Sequence, residues 1–274
     1  MIVEGVHFLP ADPPGLVARK LLRVNLSDLA AKGAEPYGWF LSAAWPARCG
    51  WAEREAFARG LAEDQDAFGL RLLGGDTTST PGPLTASATL LGWVPSGEAK
   101  LRSAARAGDV VLVSGVIGDG WLGLKAALGE IAAPGALERY RLPEPRLALR
   151  PALHAAHACA DVSDGLLADA GRIAIASGLC AEIDLERAPL SQEGLSHVEG
   201  APDRLAALIE LATGGDDYEL VCTAAPERAG RLMAAAAAAG VRMTVVGRMT
   251  QGQGVRALHG GREVHVPRLG YRHG

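Results

Sequence analysis

The chain has 274 residues, 49% of them hydrophobic, and a formal net charge of −4. That length holds one large domain or two medium ones, and that composition describes a packed globular protein rather than a disordered one. The mild acidity and the lack of a basic run with interleaved aromatics argue against a nucleic-acid surface, and no apolar run reaches membrane-spanning length.

Met1–Phe8 reads as a strand already under way, with no basic region or signal-peptide core. Pro14–Gly33 is helical, with Gly33 as its C-terminal cap and Pro36 just beyond. Tyr37–Trp45 is strand-like and Trp51–Phe68 helical. Leu70–Leu73 is a short strand running into a turn at Gly74-Gly75-Asp76, and Leu84–Val94 is a longer strand. The polar, basic stretch Ser96–Ala107 separates a unit at 1–98 from one at 107–274. In the second unit Asp109–Val113 is a strand, Trp121–Leu128 a helix and Arg146–Cys159 mostly helix. Asp161–Asp164 is a turn opening the helix Leu166–Ser177. Cys180–Leu185, Tyr218–Thr223 and Val241–Val246 are strands, Arg204–Thr213 is a helix, and an Ala-rich helix runs from Pro226 to Gly240. The fold class is α/β, or α+β, in two domains. Cys49, Cys159, Cys180 and Cys222 lack C-x-x-C spacing and read as reduced, buried residues of a cytoplasmic protein.

Four acidic motifs stand out: N-L-S-D ending at Asp28, G-G-D-T around Asp76, D-V-S-D-G from Asp161, and G-G-D-D-Y-E from Gly214. Carboxylates in apolar surroundings need compensation. With no Cys/His cluster nearby, a hard cation such as Mg²⁺ is the natural partner. Val17, Leu21, Val24 and Asp28 follow i, i+4, i+7, i+11, so at about 100° per residue Asp28 interrupts an apolar stripe. The plainer alternative is that the helix ends early and Ser27 or Asp28 caps another. Asp76 follows two glycines that admit close backbone approach to a phosphate, or it belongs to an ordinary glycine turn. Asp161, Ser163 and Asp164 form a tight cluster in which Ser163 or Asp164 could equally cap the following helix. Gly118–Gly123 matches G-x-G-x-x-G, but no second strand with an acidic ribose ligand follows, so a dinucleotide site is disfavoured. His7, alone on the opening strand, is more simply structural.

Together V-E-G-V-H-F at Val3–Phe8, V-N-L-S-D-L-A-A-K-G-A-E-P at Val24–Pro36, G-G-D-T-T at Gly74–Thr78, L-R-S-A-A-R-A-G-D at Leu101–Asp109, D-V-S-D-G-L at Asp161–Leu166, G-G-D-D-Y-E-L at Gly214–Leu220 and the ending G-Y-R-H at Gly270–His273 resemble thiamine-monophosphate kinase. The resemblance implies an aminoimidazole-ribonucleotide synthetase-like fold, with an N-terminal domain forming a barrel across a homodimer and a C-terminal α/β domain. It implies ATP- and Mg²⁺-dependent phosphorylation of thiamine monophosphate to thiamine diphosphate. It implies several Mg²⁺ ions on Asp28, Asp76, Asp161 and Asp164, ATP contacts from Gly75, Asp76, Arg102 and Ser163, and substrate contacts from His7, Asp216 and Tyr271. Asp216 departs from the family's usual Glu.

The family carries a G-D-D motif and an S-T-D run ahead of V-E-G-V-H-F, and both supply Mg²⁺ ligands. The chain as written is expected to lack them, through a late start assignment or a truncation. The alternatives are a selenophosphate or amidine-forming synthetase of the same superfamily, or a non-catalytic protein that binds nucleotide or thiamine phosphate. On the kinase reading the nucleophile is a phosphate oxygen whose second pKa is about 6, so no general base is required.

Overall fold

The computed structural model describes residues 1–271; Arg272 and His273 of the G-Y-R-H ending lie outside them. The helices are α1 (Pro14–Ala31), α2 (Trp51–Ala67), α3 (Asp119–Ala127), α4 (Pro134–Arg141), α5 (Leu166–Ala176), α6 (Gln192–Gly200), α7 (Arg204–Thr213) and α8 (Pro226–Ala238). Strands β1 (Ile2–Val3), β2 (Glu35–Pro46), β3 (Arg71–Thr80) and β4 (Thr85–Trp93) form one sheet in the order β1-β4-β2-β3. Strands β5 (Val110–Ser114), β6 (Ala158–Val162), β7 (Cys180–Asp184), β8 (Glu219–Ala224), β9 (Met243–Thr250), β10 (Gly254–His259) and β11 (Arg262–Val264) form a second, in the order β11-β10-β7-β9-β5-β8-β6. Both sheets mix parallel and antiparallel pairs, and the architecture is the mixed α/β fold that the sequence pattern implies.

Helix α1 joins the two layers. Pro14 starts it, where a missing N–H costs nothing. Gly33, at φ 69°, ends it: the Gly33 N–H donates to Ala30 O and the Ala34 N–H to Leu29 O, closing a Schellman motif. Its Leu21, Leu22 and Leu26 pack with Trp39 and Phe57 in the core of the first sheet. Its last residues, Ala30 and Ala31, pack instead with Leu112, Leu220 and Cys222 of the second. Each fully buried leucine contributes about 1.5–3 kcal/mol, so the helix is pinned at both ends. Helix α2 crosses it at backbone contact distance, since a Cβ on Gly60 would lie 2.1 Å from Gly15 O.

An ion cluster reinforces that crossing. Asp64 of α2, fully buried, accepts from Arg19 Nε at 2.9 Å and Arg23 Nε at 2.6 Å. Arg23 Nη1 reaches on to Glu144 at 2.9 Å and Pro143 O at 3.2 Å, beyond α4.

Several local expectations are corrected. The opening strand stops at Val3, because Gly5 at φ 79° turns the chain and the Gly5 N–H donates to Phe8 O. The glycines at 74 and 75 make no turn, and β3 runs through them to Thr80. Residues 146–159 are two short 3-10 turns and the start of β6, broken up around Pro145 and Pro151. Two unanticipated helices are α4, begun by Pro134, and α6, whose Ser191 side chain accepts the Gly194 N–H.

Substituting Asp64→Ala strands two arginines, one of them buried, and should cost about 3–5 kcal/mol. Urea unfolding of the variant against wild type checks this, and a loss under about 1 kcal/mol would mean that the cluster behaves as surface charge.

Candidate active site

The end of α1 and the carboxyl end of β6 meet at a cavity of about 280 Å³. Of the expected site residues, His7, Asp28, Arg102, Asp161, Ser163, Asp164, Asp216 and Tyr271 line it. Gly75 and Asp76 do not. They lie exposed on β3, with Asp76 paired in register with Ser42 of β2. A Cβ on Gly75 would fall 2.0 Å from Leu41 O, so strand packing alone accounts for that glycine.

Asp28 and Asp161 form the electrostatic centre. Helix α1 continues past Asp28 to Ala31, which excludes the reading in which Ser27 or Asp28 caps a second helix. Asp28 thus sits in the last helical turn, at the negative end of the helix dipole, where a carboxylate is disfavoured. Its surface is exposed, and the partial loss of water around it raises its pKa against the pull of Arg102 and Lys32. Asp161 is 4% exposed at the end of β6. Burial first, then the charges of Asp28 and Asp169, push its pKa up to about 7. The nearest cation is Arg102, whose Nη2 lies 4.0 Å from Asp161 Oδ1. Arg102 Nε is buried without a hydrogen-bond partner. Two crowded carboxylates and an under-used guanidinium suit a ligand carrying both divalent cation and phosphate. Among the described residues no three His, Cys, Asp or Glu side chains gather closely enough to hold a metal by themselves. A cation held here would need its remaining ligands from phosphate and water, as Mg²⁺ commonly does.

The turn after β6 is built by a residue downstream of it. Neither Ser163 nor Asp164 caps α5. Instead Asp169, inside the helix, accepts the N–H groups of Ser163 and Asp164, each at 3.0 Å. Asp164 is ion-paired with Arg172. Backbone bonds then draw the other walls in: the Asp216 N–H donates to Ser163 O at 2.8 Å, and the Tyr271 N–H to Asp164 O at 2.9 Å.

In G-G-D-D-Y-E successive side chains go to different places. Asp216 and Tyr218 both have left-handed backbones, at φ 63° and 51°, a conformation that non-glycine residues rarely take. The Asp216 carboxylate faces the cavity. Asp217 turns away and accepts the N–H groups of Gly118 at 2.9 Å and Gly120 at 3.0 Å. The glycine-rich start of α3 is thereby filled by the chain's own carboxylate, which removes the dinucleotide reading of G-x-G-x-x-G. Glu219 is buried on Arg146 and accepts the Ser114 hydroxyl at 2.6 Å.

Sequence reasoning missed Lys20. It is 2% exposed, and its ammonium lies 2.9 Å from Asp216 Oδ2 and 3.1 Å from His7 O. A signal existed: Lys20, Val24, Ser27 and Ala31 form the same kind of helical row as the one that exposed Asp28. Trp121 also lines the cavity unforeseen.

The raised pKa of Asp161 fixes a pH dependence. The group releases its proton near pH 4 when unfolded but near pH 7 when folded, so between those values the unfolded state binds fewer protons and stability falls as pH rises. Without divalent ions, Asp161→Asn should therefore melt higher than wild type above pH 7 and level with it near pH 4. Added Mg²⁺ should raise the wild-type melting temperature more than the variant's. Differential scanning fluorimetry across pH, with chelator and then with Mg²⁺, checks both; a pH-independent difference would contradict them.

Residues 1–94 match the family described as AIR synthase related protein, N-terminal domain, and residues 106–260 match the corresponding C-terminal domain. A Caulobacter vibrioides protein named thiamine-monophosphate kinase is 55% identical over 276 residues, covering 100% of this chain and 78% of its own. The crystal structure of thiamine-monophosphate kinase from Stenotrophomonas maltophilia superposes with a TM-score of 0.83 at 37% identity, over 92% of this chain and 81% of that one. A structure described as AaThiL complexed with AMPPCP and TMP gives 0.86 at 29% identity, over 99% and 85%.

Proposed function

The chain belongs to the thiamine-monophosphate kinase family, and from that membership we propose that it transfers the γ-phosphoryl group of ATP directly to the phosphate of thiamine monophosphate, releasing thiamine diphosphate and ADP. The observation that carries the reading is the buried Asp161 with the exposed Asp28 and Arg102 near it, in one cavity with His7, Asp216 and Tyr271. The acceptor oxygen is already largely ionised at neutral pH, its second pKa being about 6. The work left to the protein is to align two polyanions and offset their repulsion.

Each residue has its part in this proposal. Asp28 and Asp161, with Asp164, would hold Mg²⁺; Asp164 must share its carboxylate with Arg172. Mg²⁺, when bound, neutralises phosphate charge and orients the transferred group. Arg102 supplies its unpartnered Nε–H to phosphate, and Ser163 completes the ATP contacts within the cavity. His7, Asp216 and Tyr271 hold thiamine monophosphate, with the tyrosine ring set against its cationic or aromatic part. The chain divides between 98 and 107 into an ATP- and metal-binding unit and a C-terminal unit. It acts in the cytoplasm, a reading supported by four buried, unbonded cysteines. No described helix is long and apolar enough to cross a membrane.

The protein works as a homodimer through the bare face of its first sheet. Phe40, Leu91 and Trp93 stand exposed there, at 42%, 43% and 67%, beside Tyr37. Such apolar exposure on one sheet calls for a covering partner, and a second copy closing over it makes the expected barrel.

With ATP, Mg²⁺ and thiamine monophosphate, formation of thiamine diphosphate is the direct test. Asp28→Asn should lower turnover by about 10²-fold or more with unchanged circular dichroism; unaltered turnover would remove Asp28 from the metal site. For the dimer, sedimentation velocity should give twice the chain mass for wild type and a monomer for Phe40→Glu combined with Leu91→Glu. A monomeric wild type would overturn the interface.

A further inference from the structure

Resting on the reading of His7 and Asp216 as substrate residues, we infer that Lys20 is the positioning residue of the thiamine monophosphate wall. An ammonium that is 2% exposed needs strong compensation. Lys20 finds it on three sides. Nζ donates to Asp216 Oδ2 at 2.9 Å and to His7 O at 3.1 Å, and it lies 3.8 Å from the centre of the Tyr140 ring. The three partners come from the opening turn, from α4 and from the G-G-D-D-Y-E turn, and α1 carries the lysine between them. One ammonium therefore ties together two of the three residues assigned to the substrate.

The tie explains two otherwise separate features. First, the short Asp216 side chain is fixed at both oxygens: Oδ2 by Lys20, Oδ1 by the Tyr218 hydroxyl at 3.1 Å. Its side chain is still 32% exposed on the cavity wall, so the carboxylate is held in one orientation and remains available. Second, the left-handed backbone of Asp216 is held by these bonds and by its own N–H to Ser163 O. Removing the ammonium frees the carboxylate to swing and releases the His7 turn from α1. The Asp28–Asp161 pair and Arg102 have no contact with Lys20 among the described bonds, so the effect falls on one substrate.

Steady-state kinetics of Lys20→Met separate this from a merely structural role. The expected result is a KM for thiamine monophosphate raised about tenfold or more, with the KM for ATP within about twofold of wild type. The double variant Lys20→Met with Asp216→Asn should lose little beyond Asp216→Asn alone, because the lysine acts through that carboxylate. A folded Lys20→Met with wild-type KM for thiamine monophosphate, or with both KM values raised alike, overturns the assignment. Should Lys20→Met not fold, Lys20→Arg keeps the charge but not the compact reach to both oxygens. A KM for thiamine monophosphate raised about fivefold then supports the role, and a wild-type KM overturns it. Calorimetric titration with thiamine monophosphate alone reads the same difference without turnover, so inactive wild-type protein would sink the kinase reading and leave this one to be decided by binding.

Discussion

Two carboxylates that repel each other line one cavity, Asp28 exposed and Asp161 buried, and the rest of the site is arranged around that unfavourable pairing. They come from opposite halves of the chain, one at the end of α1 and one at the end of β6. Only the packing of α1 against both sheets brings them together. The leucines of α1 anchor it to the first sheet and its terminal alanines to the second. The aspartates therefore cannot separate without disrupting both cores. A cation bound between them would relieve that repulsion, which is the physical basis of the proposed metal and phosphate site.

The remaining charges are spent in ways that keep this centre unneutralised. Arg23 and Arg19 are committed to Asp64, Arg146 to Glu219, Arg172 to Asp164 and Asp169, and Lys20 to Asp216. Arg102 approaches Asp161 at 4.0 Å with its Nε unpartnered, and Lys32 adds its charge on the Asp28 side. A stronger internal salt bridge there would stabilise the free protein and weaken its grip on ATP. The G-G-D-D-Y-E turn shows the same division within four residues: one acid faces the cavity, one caps α3, and one is buried on Arg146.

How much of this was legible in the sequence depends on whether local pattern or tertiary contact decides. Asp28 was legible because a helix has a fixed period and an acid in an apolar row breaks it. Lys20 breaks a parallel row, yet a lysine in a helix so often snorkels to solvent that the break carries little signal. Strand β6, which carries Asp161, read as the end of a helix followed by a turn, whereas β5, β7, β8 and β9 of the second sheet were readable from apolar runs bounded by turns. The residues around Pro145 and Pro151 were not, because helix-forming composition competed with two breakers. Nothing local distinguishes Asp216 from Asp217; their opposite directions follow from left-handed backbones at non-glycine residues. Likewise the glycines before Asp76 read as a turn, whereas close packing of β3 on β2 requires one of them.

The most direct measurement is the titration of Asp161 itself, followed by carboxyl ¹³C NMR in metal-free wild type and in Asp28→Asn. The account predicts a midpoint near pH 7 in wild type and a clearly lower one once the Asp28 charge is removed. A midpoint close to the ordinary aspartate value of 3.8, indifferent to Asp28, would show that the two carboxylates do not share a site.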